Sequence, residues 1–451
     1  MQQIKIVNMT FSDLNLNKSL LNALADMGYT QPTPIQEKGF SVAMSGRNMV
    51  GIAQTGTGKT LAYLLPCLRQ WTFVKEKHPQ ILIIVPTREL VVQIVEEVEK
   101  LTKYMNVRTV GIYGGANINL QIAELRLGLD VLVATPGRLL DMILKRELRT
   151  RDIKKLVIDE VDEMMSLGFR PQLVRVLDFM PPIRQNLMFS ATMTDEVDVL
   201  IRDFFENPQI VEAAPTGTPL ENIDQFAYNS PNFNSKANLL EHLLAQKDVF
   251  TKVLIFVSSK RLADQLFERI HTKFPDELGV IHSNKSQNHR FSTVNSFKDG
   301  TYRCIIATDI IARGVDISEV SHVINFDTPD EAENYIHRIG RTGRADKHGI
   351  SITFVNEKEQ EYQEAIETLM DRKITMEAQP ENVEISTELT EDEIPKIIVR
   401  EIQLKKVKYD PTQGGAFHEK LAKNKKVNVT RAEKNILKYG KANSRKKRMR
   451  K

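Results

Sequence analysis

A glycine-rich stretch at residues 53–60 has the residue types and spacing that point most directly to chemistry. It reads Ala-Gln-Thr-Gly-Thr-Gly-Lys-Thr, and apolar runs precede and follow it, which predicts the order strand, loop, helix. Glycines let backbone N–H groups converge on a phosphate, and the helix N-terminus adds unpaired donors and a positive dipole end. Lys59 would reach the β- and γ-phosphates, and the Thr60 hydroxyl would bind Mg²⁺. The stretch therefore predicts a nucleoside triphosphate site, with a chance turn rich in glycine and threonine as the alternative.

An acid pair, Asp159 and Glu160, directly follows the apolar run at residues 156–158. Asp159 could hold Mg²⁺, and Glu160 could position or deprotonate an attacking water. In isolation such a pair could equally be a helix N-cap followed by an acid in the first turn. The glycine-rich loop upstream favours the catalytic interpretation.

Arginines separated by glycines lie in the segment His-Arg-Ile-Gly-Arg-Thr-Gly-Arg at residues 337–344. A guanidinium is planar and stays charged, so Arg341 and Arg344 are suited to stabilise phosphate charge in a transition state. The alternative is a solvated basic turn. His337 is assigned only a coupling role, because a lone histidine on a helix more often serves packing.

A loop with two closely spaced prolines, at positions 32 and 34, precedes Gln36. Prolines restrict the backbone on both sides, and a rigid loop could present the Gln36 amide to an adenine edge. Phe11 could stack on the ring. The alternative is an ordinary proline turn with a phenylalanine in the core.

The strands and helices that must position these residues are predicted to alternate along the chain. Apolar runs such as residues 81–85 and 253–257 are typical of strands buried on both faces, and each ends in a polar cluster. In a parallel sheet ligands bind beyond the carboxyl ends of the strands, so these clusters should share one rim. The alternation restarts in the second half, which has no glycine-rich phosphate loop of its own. We therefore expect its arginines to complete a site built by the first half.

The domain organisation predicted from this alternation has four parts: a nucleotide-binding domain over 1–211, a linker over 212–224, a second α/β domain over 225–375 and an extension over 376–451. At 451 residues and 51.4 kDa the chain is too long for one ordinary core. The fold class is α/β, with two tandem domains that each contain a parallel sheet flanked by helices.

The net charge of +4 hides a strong asymmetry along the chain. Residues 401–451 contain 17 Lys/Arg and 4 Asp/Glu, a net of +13, which leaves 45 basic and 54 acidic residues before them, a net of −9. A basic block of this kind is typical of a solvated, flexible arm that attracts polyanions. Two distant cysteines in apolar contexts predict buried free thiols. We find no bilayer-spanning apolar run and no signal peptide, so a cytoplasmic location is expected.

These motifs together resemble those of the DEAD-box ATP-dependent RNA helicases, a superfamily 2 family with two RecA-like domains. The matches run from Phe11 to Arg344 and include AxTGxGKT at 53–60, PTREL at 86–90, GG at 114–115, TPGR at 135–138, SAT at 190–192, ARGxD at 312–316 and HRxGRxGR at 337–344. The acid motif reads Asp-Glu-Val-Asp, with Val161 where the family has alanine. The stretch at 282–287 resembles the bacterial RhlE-type branch.

The resemblance implies roles by position. Lys59, Asp159, Glu160, Arg341 and Arg344 would be catalytic, and Thr60 and Asp159 would hold Mg²⁺. The nucleotide contacts would be Phe11, Gln36, Ala53, Gln54, Thr55, Gly56, Thr57, Gly58, Lys59, Thr60, Gly314 and Asp316. Coupling between ATP and RNA would involve Asp162, Ser190, Thr192 and His337. The RNA contacts would be Arg88, Gly115, Thr135, Gly137, Arg138, Gln287, Arg290 and Thr308.

The function implied is an RNA-dependent ATPase that uses ATP and Mg²⁺ to separate short duplexes or remodel RNA–protein complexes by closing two domains on a single strand. One alternative is an ATP-dependent RNA clamp or remodeller that separates few duplexes. Another is a non-enzymatic RNA chaperone driven by the basic tail. Ribosomal or RNA-decay partners are expected.

Removing residues 401–451 is predicted to weaken RNA affinity and flatten its dependence on salt, because fewer phosphate charges would be neutralised. Basal ATP hydrolysis should be kept. RNA binding measured over a series of salt concentrations, for the full chain and the shortened one, checks this. Equal salt slopes for the two chains would contradict it.

Overall fold

The computed structural model of the chain describes residues 9–54, 56–75, 78–212, 222–309, 317, 320–343, 348–391 and 393–394. Within these ranges the chain forms two seven-stranded sheets, and the paired strands run parallel throughout. The α/β fold class predicted from the apolar runs is confirmed.

The first sheet has the strand order β3-β4-β2-β5-β6-β1-β7. Its strands are β1 (Met49–Ile52), β2 (Ile81–Ile84), β3 (Thr109–Ile112), β4 (Val131–Ala134), β5 (Lys155–Ile158), β6 (Gln185–Ser190) and β7 (Gln209–Glu212). Its helices are α1 (Lys18–Asp26), α2 (Pro34–Met44), α3 (Lys59–Arg69), α4 (Arg88–Leu101), α5 (Ile118–Arg126), α6 (Pro136–Leu144), α7 (Val161–Ser166), α8 (Arg170–Asp178) and α9 (Asp195–Phe204).

The second sheet repeats this arrangement, with the order β10-β11-β9-β12-β13-β8-β14. Its strands are β8 (Ile223–Asn229), β9 (Val253–Val257), β10 (Leu278–Ile281), β11 (Cys304–Thr308), β12 (His322–Asn325), β13 (Gly349–Val355) and β14 (Thr375–Glu377). Its helices are α10 (Phe233–Ala245), α11 (Lys260–His271), α12 (Gln287–Lys298), α13 (Ala332–Ile339) and α14 (Gln360–Met370). When its strands are renumbered from one, the order is that of the first sheet.

Both faces of each sheet are covered, which explains the continuous apolar runs. In β2, Ile81 and Ile83 belong to one core cluster, whereas Leu82 and Ile84 belong to the cluster on the other face. Strands buried on both faces lose the polar alternation of a half-exposed sheet. Cys67 and Cys304 are buried free thiols, as predicted. No helix in the described ranges is long and apolar enough to cross a bilayer.

Four strands were not identified from the sequence, and for three of them the residues explain why. The edge strand β14 is exposed at every position, and β7 is buried only at Val211, so neither carries an apolar run. Strand β8 begins at Ile223, inside the predicted linker, of which residues 213–221 lie outside the described residues. Strand β13 was not singled out, although most of its side chains are buried. The predicted boundary after residue 375 falls within β14, and the four-part division remains a prediction.

A short segment after β14 that forms neither helix nor strand, residues 380–391 and 393–394 (the strap), is hydrogen-bonded to α10. Side-chain amides of α10 and its N-cap donate to strap carbonyls: Asn232 to Ser386 at 2.6 Å, Asn234 to Glu388 at 2.9 Å and Asn238 to Glu384 at 2.9 Å. The Glu393 carboxylate accepts from the first backbone N–H of α10 at 2.6 Å, and Val383 is buried in the core of the second sheet. The strap therefore packs with the second sheet, although the sequence analysis placed it in the extension.

A chain that ends at residue 377 should be less stable than one that ends at residue 394. Removing the strap would remove Val383 and expose the apolar core surface that it covers in the second half. It would also leave side-chain amides of α10 and its N-cap without their carbonyl partners. We expect the thermal midpoint of the shorter chain to be lower by about 3–8 °C. The chain ending at 394 also lacks the basic tail and is the matched control. Equal midpoints for the two chains in circular dichroism melts would show that the strap contributes no stability.

Candidate functional site at the carboxyl edges of the two sheets

The phosphate loop joins β1 to α3 and has the backbone that its glycines allow. Gly56 and Gly58 have φ angles of 84° and 86°, a region that favours glycine. A Cβ at Gly58 would lie 2.4 Å from Gln36 Nε2. The reason is that the Gln36 amide donates to the Gly58 carbonyl at 2.9 Å and accepts from the Thr33 N–H at 3.0 Å. Gln36 therefore fastens the proline loop to the phosphate loop.

Four other residues predicted to contact nucleotide also have protein partners. Phe11 is only 4% exposed and belongs to the core of the first sheet, which matches the alternative considered for it; adenine stacking remains a prediction. The Ala53 N–H donates to the Ser190 carbonyl at 3.0 Å, and the Thr57 hydroxyl donates to the Gln54 carbonyl at 2.7 Å. These bonds shape the loop.

The Lys59 ammonium is buried, with 7% of the residue exposed, and it has no hydrogen-bond partner among the described residues. It lies close enough to Asp159, Glu160 and Asp162 to favour their charged forms. This follows from the sheet order, because β5, β6 and β1 are neighbours and their carboxyl ends bring the acid motif beside the phosphate loop. A buried cation without a hydrogen bond is costly, so the arrangement indicates an anionic ligand at this point.

The carboxyl groups beside Lys59 have perturbed protonation. Burial raises the pKa of Asp159, while Lys59 opposes the rise. Burial also raises the pKa of Glu160 to about 8, with Lys59 opposing it, Asp159 adding to it and Arg341 again opposing it. The φ angle of Glu160, 52°, is a left-handed conformation that a non-glycine residue rarely adopts. Since Arg341 follows α13, Glu160 is influenced by both halves of the chain.

Asp162 connects the acid motif to β6 and to the second sheet. Its Oδ2 accepts from the Ala191 N–H at 3.0 Å, the Thr192 N–H at 2.9 Å and the Thr192 hydroxyl at 3.0 Å. The same oxygen lies 3.7 Å from His337 Nε2 on α13. Burial by itself would raise the pKa of Asp162, but His337, Lys59 and Thr192 together lower it below its usual value. The Ser190 hydroxyl donates to the Thr192 carbonyl at 2.6 Å. The four predicted coupling residues therefore form one contiguous group.

The residues predicted to hold Mg²⁺, Thr60 and Asp159, provide one hydroxyl and one carboxylate. Among the described residues no group of three or more His, Cys, Asp or Glu side chains could hold a metal ion by itself. Magnesium in phosphate sites is usually bound by one or two carboxylates, by waters and by substrate phosphates, so the donor set fits that ion.

Part of the predicted RNA-binding set meets across the two sheets. Arg88 Nη1 donates to Gln287 Oε1 at 3.2 Å, and Gln287 Nε2 donates to Glu89 Oε1 at 3.1 Å. Arg290 Nη1 lies 2.8 Å from the same Glu89 oxygen, and both partners of this ion pair are buried. Gly115 is packed against the Arg88 guanidinium, since a Cβ there would lie 2.4 Å from Arg88 Nη1.

The other predicted RNA contacts lie at the ends of their own strands. Thr135 is the N-cap of α6, and Gly137 is in the first turn of that helix. Arg138 is 8% exposed, and its guanidinium donates to the Ala116 carbonyl at 3.0 Å and to Gln121. Thr308 is the last residue of β11 and is buried. Four predicted site residues lie outside the described residues: Thr55, Gly314, Asp316 and Arg344.

Two buried residues that form ion pairs near the site were not identified from the sequence. Glu89 was passed over as part of a helix start, although it pairs with Arg290 of the other half. Arg338 is 1% exposed and bonds both oxygens of Asp309, at 2.6 and 2.7 Å. This ion pair links Asp309, which directly follows Thr308, to Arg338, which directly follows His337. The HRxGR pattern signalled an important arginine, but only the fold identifies its carboxylate partner.

Comparison with protein-family models gives two matches. Residues 33–200 match the DEAD/DEAH box helicase model, and residues 235–346 match the helicase conserved C-terminal domain. The matched ranges include the phosphate loop, the acid motif, Gln287 and Arg341. The two matches include the carboxyl ends of β1–β6 and of β9–β12.

Among curated proteins, the chain is 41% identical over 349 residues to the DEAD-box ATP-dependent RNA helicase 30 of Arabidopsis thaliana, a match that covers 76% of the chain and 59% of the plant protein. It is 40% identical over 367 residues to the DEAD-box ATP-dependent RNA helicase CshA of Bacillus cereus, covering 81% and 69%. The chain thus matches about three fifths of the plant relative's length.

Among solved structures, S. cerevisiae Dbp5 bound to RNA and ADP BeF3 superimposes with a TM-score of 0.75 at 29% identity, covering 82% of this chain and 96% of that one. Mss116p bound to ssRNA and AMP-PNP gives a TM-score of 0.75 at 27% identity, covering 83% and 80%.

The raised pKa of Glu160 predicts a stability difference that depends on pH. In the folded chain this carboxyl keeps its proton up to about pH 8, whereas in the unfolded chain the same carboxyl loses its proton near pH 4.5. The unfolded state therefore binds fewer protons between these values, and stability falls as pH rises. Glu160→Gln removes this loss, so its thermal midpoint relative to wild type should rise by roughly 2–5 °C between pH 5.5 and 8.5. Nucleotide-free protein without Mg²⁺ is used for the melts.

The matched control for this measurement is Glu124→Gln on the exposed surface of α5. Its midpoint should follow that of the wild-type chain at both pH values. If the Glu160→Gln curve also ran parallel to that of the wild-type chain, the folded Glu160 carboxyl would have an ordinary pKa.

Proposed function

The chain belongs to the DEAD-box family of ATP-dependent RNA helicases, and on that premise we propose that it is an RNA-stimulated ATPase that separates short RNA duplexes by closing its two halves. The observation that carries this proposal is the joint environment of Glu160, which is influenced by Lys59 of the first sheet and by Arg341 of the second. A nucleotide bound there would touch both halves. ATP would therefore favour the closed arrangement.

In this proposal the phosphate loop N–H groups and Lys59 bind the triphosphate. Thr60 and Asp159 hold Mg²⁺, which neutralises charge on the phosphate oxygens when it is bound. Glu160 orients the attacking water and accepts its proton in the molecules in which the carboxyl is ionised, a fraction that grows as the pH approaches its pKa of about 8. Arg341 stabilises the charge that develops on the phosphate, with Arg344 assigned the same role from the sequence.

We propose that RNA binds a surface separate from the nucleotide site. Arg88, Gln287, Arg290 and their neighbours form this surface. Such a surface would hold one strand by its sugar–phosphate backbone, with 2′-hydroxyl contacts favouring RNA over DNA and little reading of base sequence. The buried Glu89–Arg290 pair supports a coupling of domain closure to RNA binding, because it joins the two halves at this surface. Bending one strand locally would separate a short duplex without long translocation.

Finer assignments belong to the same proposal. We place the chain in the RhlE-type branch on the residues at 282–287, and we propose a cytoplasmic protein with ribosomal or RNA-decay partners. An ATP-dependent RNA clamp or RNP remodeller would use the same motifs and is distinguished by a strand-displacement assay.

Lys59→Ala should lower the turnover number for ATP hydrolysis by at least about 100-fold, because a preorganised charge on the transferred phosphate would be lost. Phosphate release is measured with and without single-stranded RNA, and the wild-type rate should rise with RNA. Lys100→Ala, an exposed lysine at the end of α4, is the control and should keep the wild-type rate. Hydrolysis that ignores RNA would favour the chaperone alternative.

Strand displacement tests the second half of the proposal. The yield should fall steeply as an RNA duplex is lengthened, because strands are separated locally. A yield that does not decrease with length would indicate translocation and contradict the proposed mode. RNA-stimulated hydrolysis with no displacement of even short duplexes would favour the clamp.

A further inference from the structure

Thr342 occupies a position that the motif HRxGRxGR leaves open, directly after Arg341. Thr342 is 0% exposed, and Arg341 is buried as well. Both lie in the turn that follows α13, where the Arg341 N–H donates to the Arg338 carbonyl at 3.2 Å and the Thr342 N–H to the Ile339 carbonyl at 3.0 Å. These bonds join the turn to its own helix, so its position relative to the sheet depends on contacts with other segments.

Two hydrogen bonds attach the turn to Val320, which lies shortly before β12. The Thr342 hydroxyl donates to the Val320 carbonyl at 2.5 Å, and the Val320 N–H donates to the Arg341 carbonyl at 3.4 Å. A donor and an acceptor of one residue thus hold two neighbouring residues of the turn, which restricts both the position and the rotation of the peptide unit between them. The backbone bond is longer than usual, so the Thr342 hydroxyl is the stronger attachment.

Val320 is a rigid point of attachment. The residue is 4% exposed and belongs to the apolar cluster on one face of the second sheet. The next residue, Ser321, donates its N–H to the Lys252 carbonyl at 2.8 Å and accepts from the Lys252 N–H at 3.0 Å through its hydroxyl. A turn that is bonded to Val320 is therefore bonded to the core of the second half.

Backbone groups limit the space beside Thr342. A Cβ at Gly349, the first residue of β13, would overlap the Thr342 side chain and the Gly343 nitrogen. The Gly349 N–H is itself bonded to the Asn222 carbonyl at 2.8 Å, so this wall is fixed. Close packing disfavours another rotamer of Thr342, and its hydroxyl holds the turn in one arrangement.

The placement of the turn matters because Arg341 has a long side chain. A small shift or rotation at its Cα is amplified at the guanidinium. A guanidinium binds phosphate oxygens through a planar fork, so its direction affects the interaction as much as its distance. Misplacing a group by about 1 Å can lower a reaction rate by about 100-fold.

We propose that Thr342 is a positioning residue for ATP hydrolysis: its hydroxyl bonds the Val320 carbonyl and thereby holds the turn that directs Arg341 at the phosphate. This inference rests on the proposed function, in which Arg341 stabilises the charge that develops on that phosphate. Its consequence is that loss of the hydroxyl lowers the turnover number and leaves nucleotide affinity unchanged, because Arg341 acts in the transition state.

The test compares Thr342→Val, which removes the hydroxyl and keeps the shape of the side chain, with Thr342→Ser, which keeps the hydroxyl. RNA-stimulated phosphate release by the full chain is measured at a temperature well below the thermal midpoint of each variant. For Thr342→Val we expect the turnover number to fall by about 5- to 50-fold. KM for ATP and the affinity for a fluorescent ADP analogue should stay within about twofold of wild type, and Thr342→Ser should keep the wild-type turnover number.

Arg341→Ala shows whether Thr342 acts through the guanidinium. Arg341→Ala should lower the turnover number, and adding Thr342→Val should lower it no further, because the two residues act as a unit. A further loss by the factor seen in the wild-type background would overturn the inference. A wild-type turnover number for Arg341→Ala would instead mean that the role proposed for Arg341 itself is wrong.

Thr102→Val is the matched control for stability. Thr102 is buried at the end of α4, and its hydroxyl also donates to a backbone carbonyl, that of Val98 at 2.7 Å. The control should lower the thermal midpoint by a few degrees at most and keep the turnover number. A wild-type turnover number for Thr342→Val would overturn the inference, because the hydroxyl would then be only structural. Equal losses for Thr342→Val and Thr342→Ser would also overturn it. If Thr342→Val does not fold, Thr342→Ala takes its place with the same expected results.

Discussion

A buried ammonium group without a hydrogen bond is the feature on which the rest of the structure depends. The Lys59 ammonium is partly offset by Asp159, Glu160 and Asp162, which are themselves crowded by burial and by one another. Charges removed from water in this way are costly unless a partner is found. In the proposed function, a triphosphate with a metal ion would supply both missing partners, an anion for the lysine and a cation for the carboxylates. The fold thus maintains a site whose electrostatics are completed only by its ligand.

The parallel sheet is what makes such crowding possible. The phosphate loop, the acid motif and the segment after Ser190 leave strands β1, β5 and β6, which are adjacent in the sheet although far apart in the chain. The second sheet repeats the same strand order, and its helix α13 brings His337 and Arg341 to the site. Carboxyl ends of parallel strands meet at one edge, so residues distant in sequence become neighbours there.

The contacts between the two halves join the nucleotide side of the site to the proposed RNA side. Asp162 approaches His337 at 3.7 Å, and Glu89 pairs with Arg290 at 2.8 Å. Arg338, next to His337, holds Asp309 at the end of β11. A rotation of one half against the other would change the Asp162–His337 and Glu89–Arg290 contacts together, whereas Arg338 and Asp309 would move as one within the second half. Nucleotide binding on one side can therefore affect RNA binding on the other, because rigid helices and strands connect the two sides and their contacts between the halves change together.

The sequence by itself determined the α/β class, the phosphate loop, the acid motif and the arginine segment, because these are local patterns: apolar runs, glycine spacing and charged residues at strand ends. It did not indicate that Gln36 bonds Gly58 or that Glu89 pairs with Arg290, and it left open whether Phe11 lies in the core. It also missed the exposed edge strands and the strap, which have no apolar periodicity. Only the tertiary structure decided these, because a polar side chain can bond many partners, and the packing of distant segments selects one.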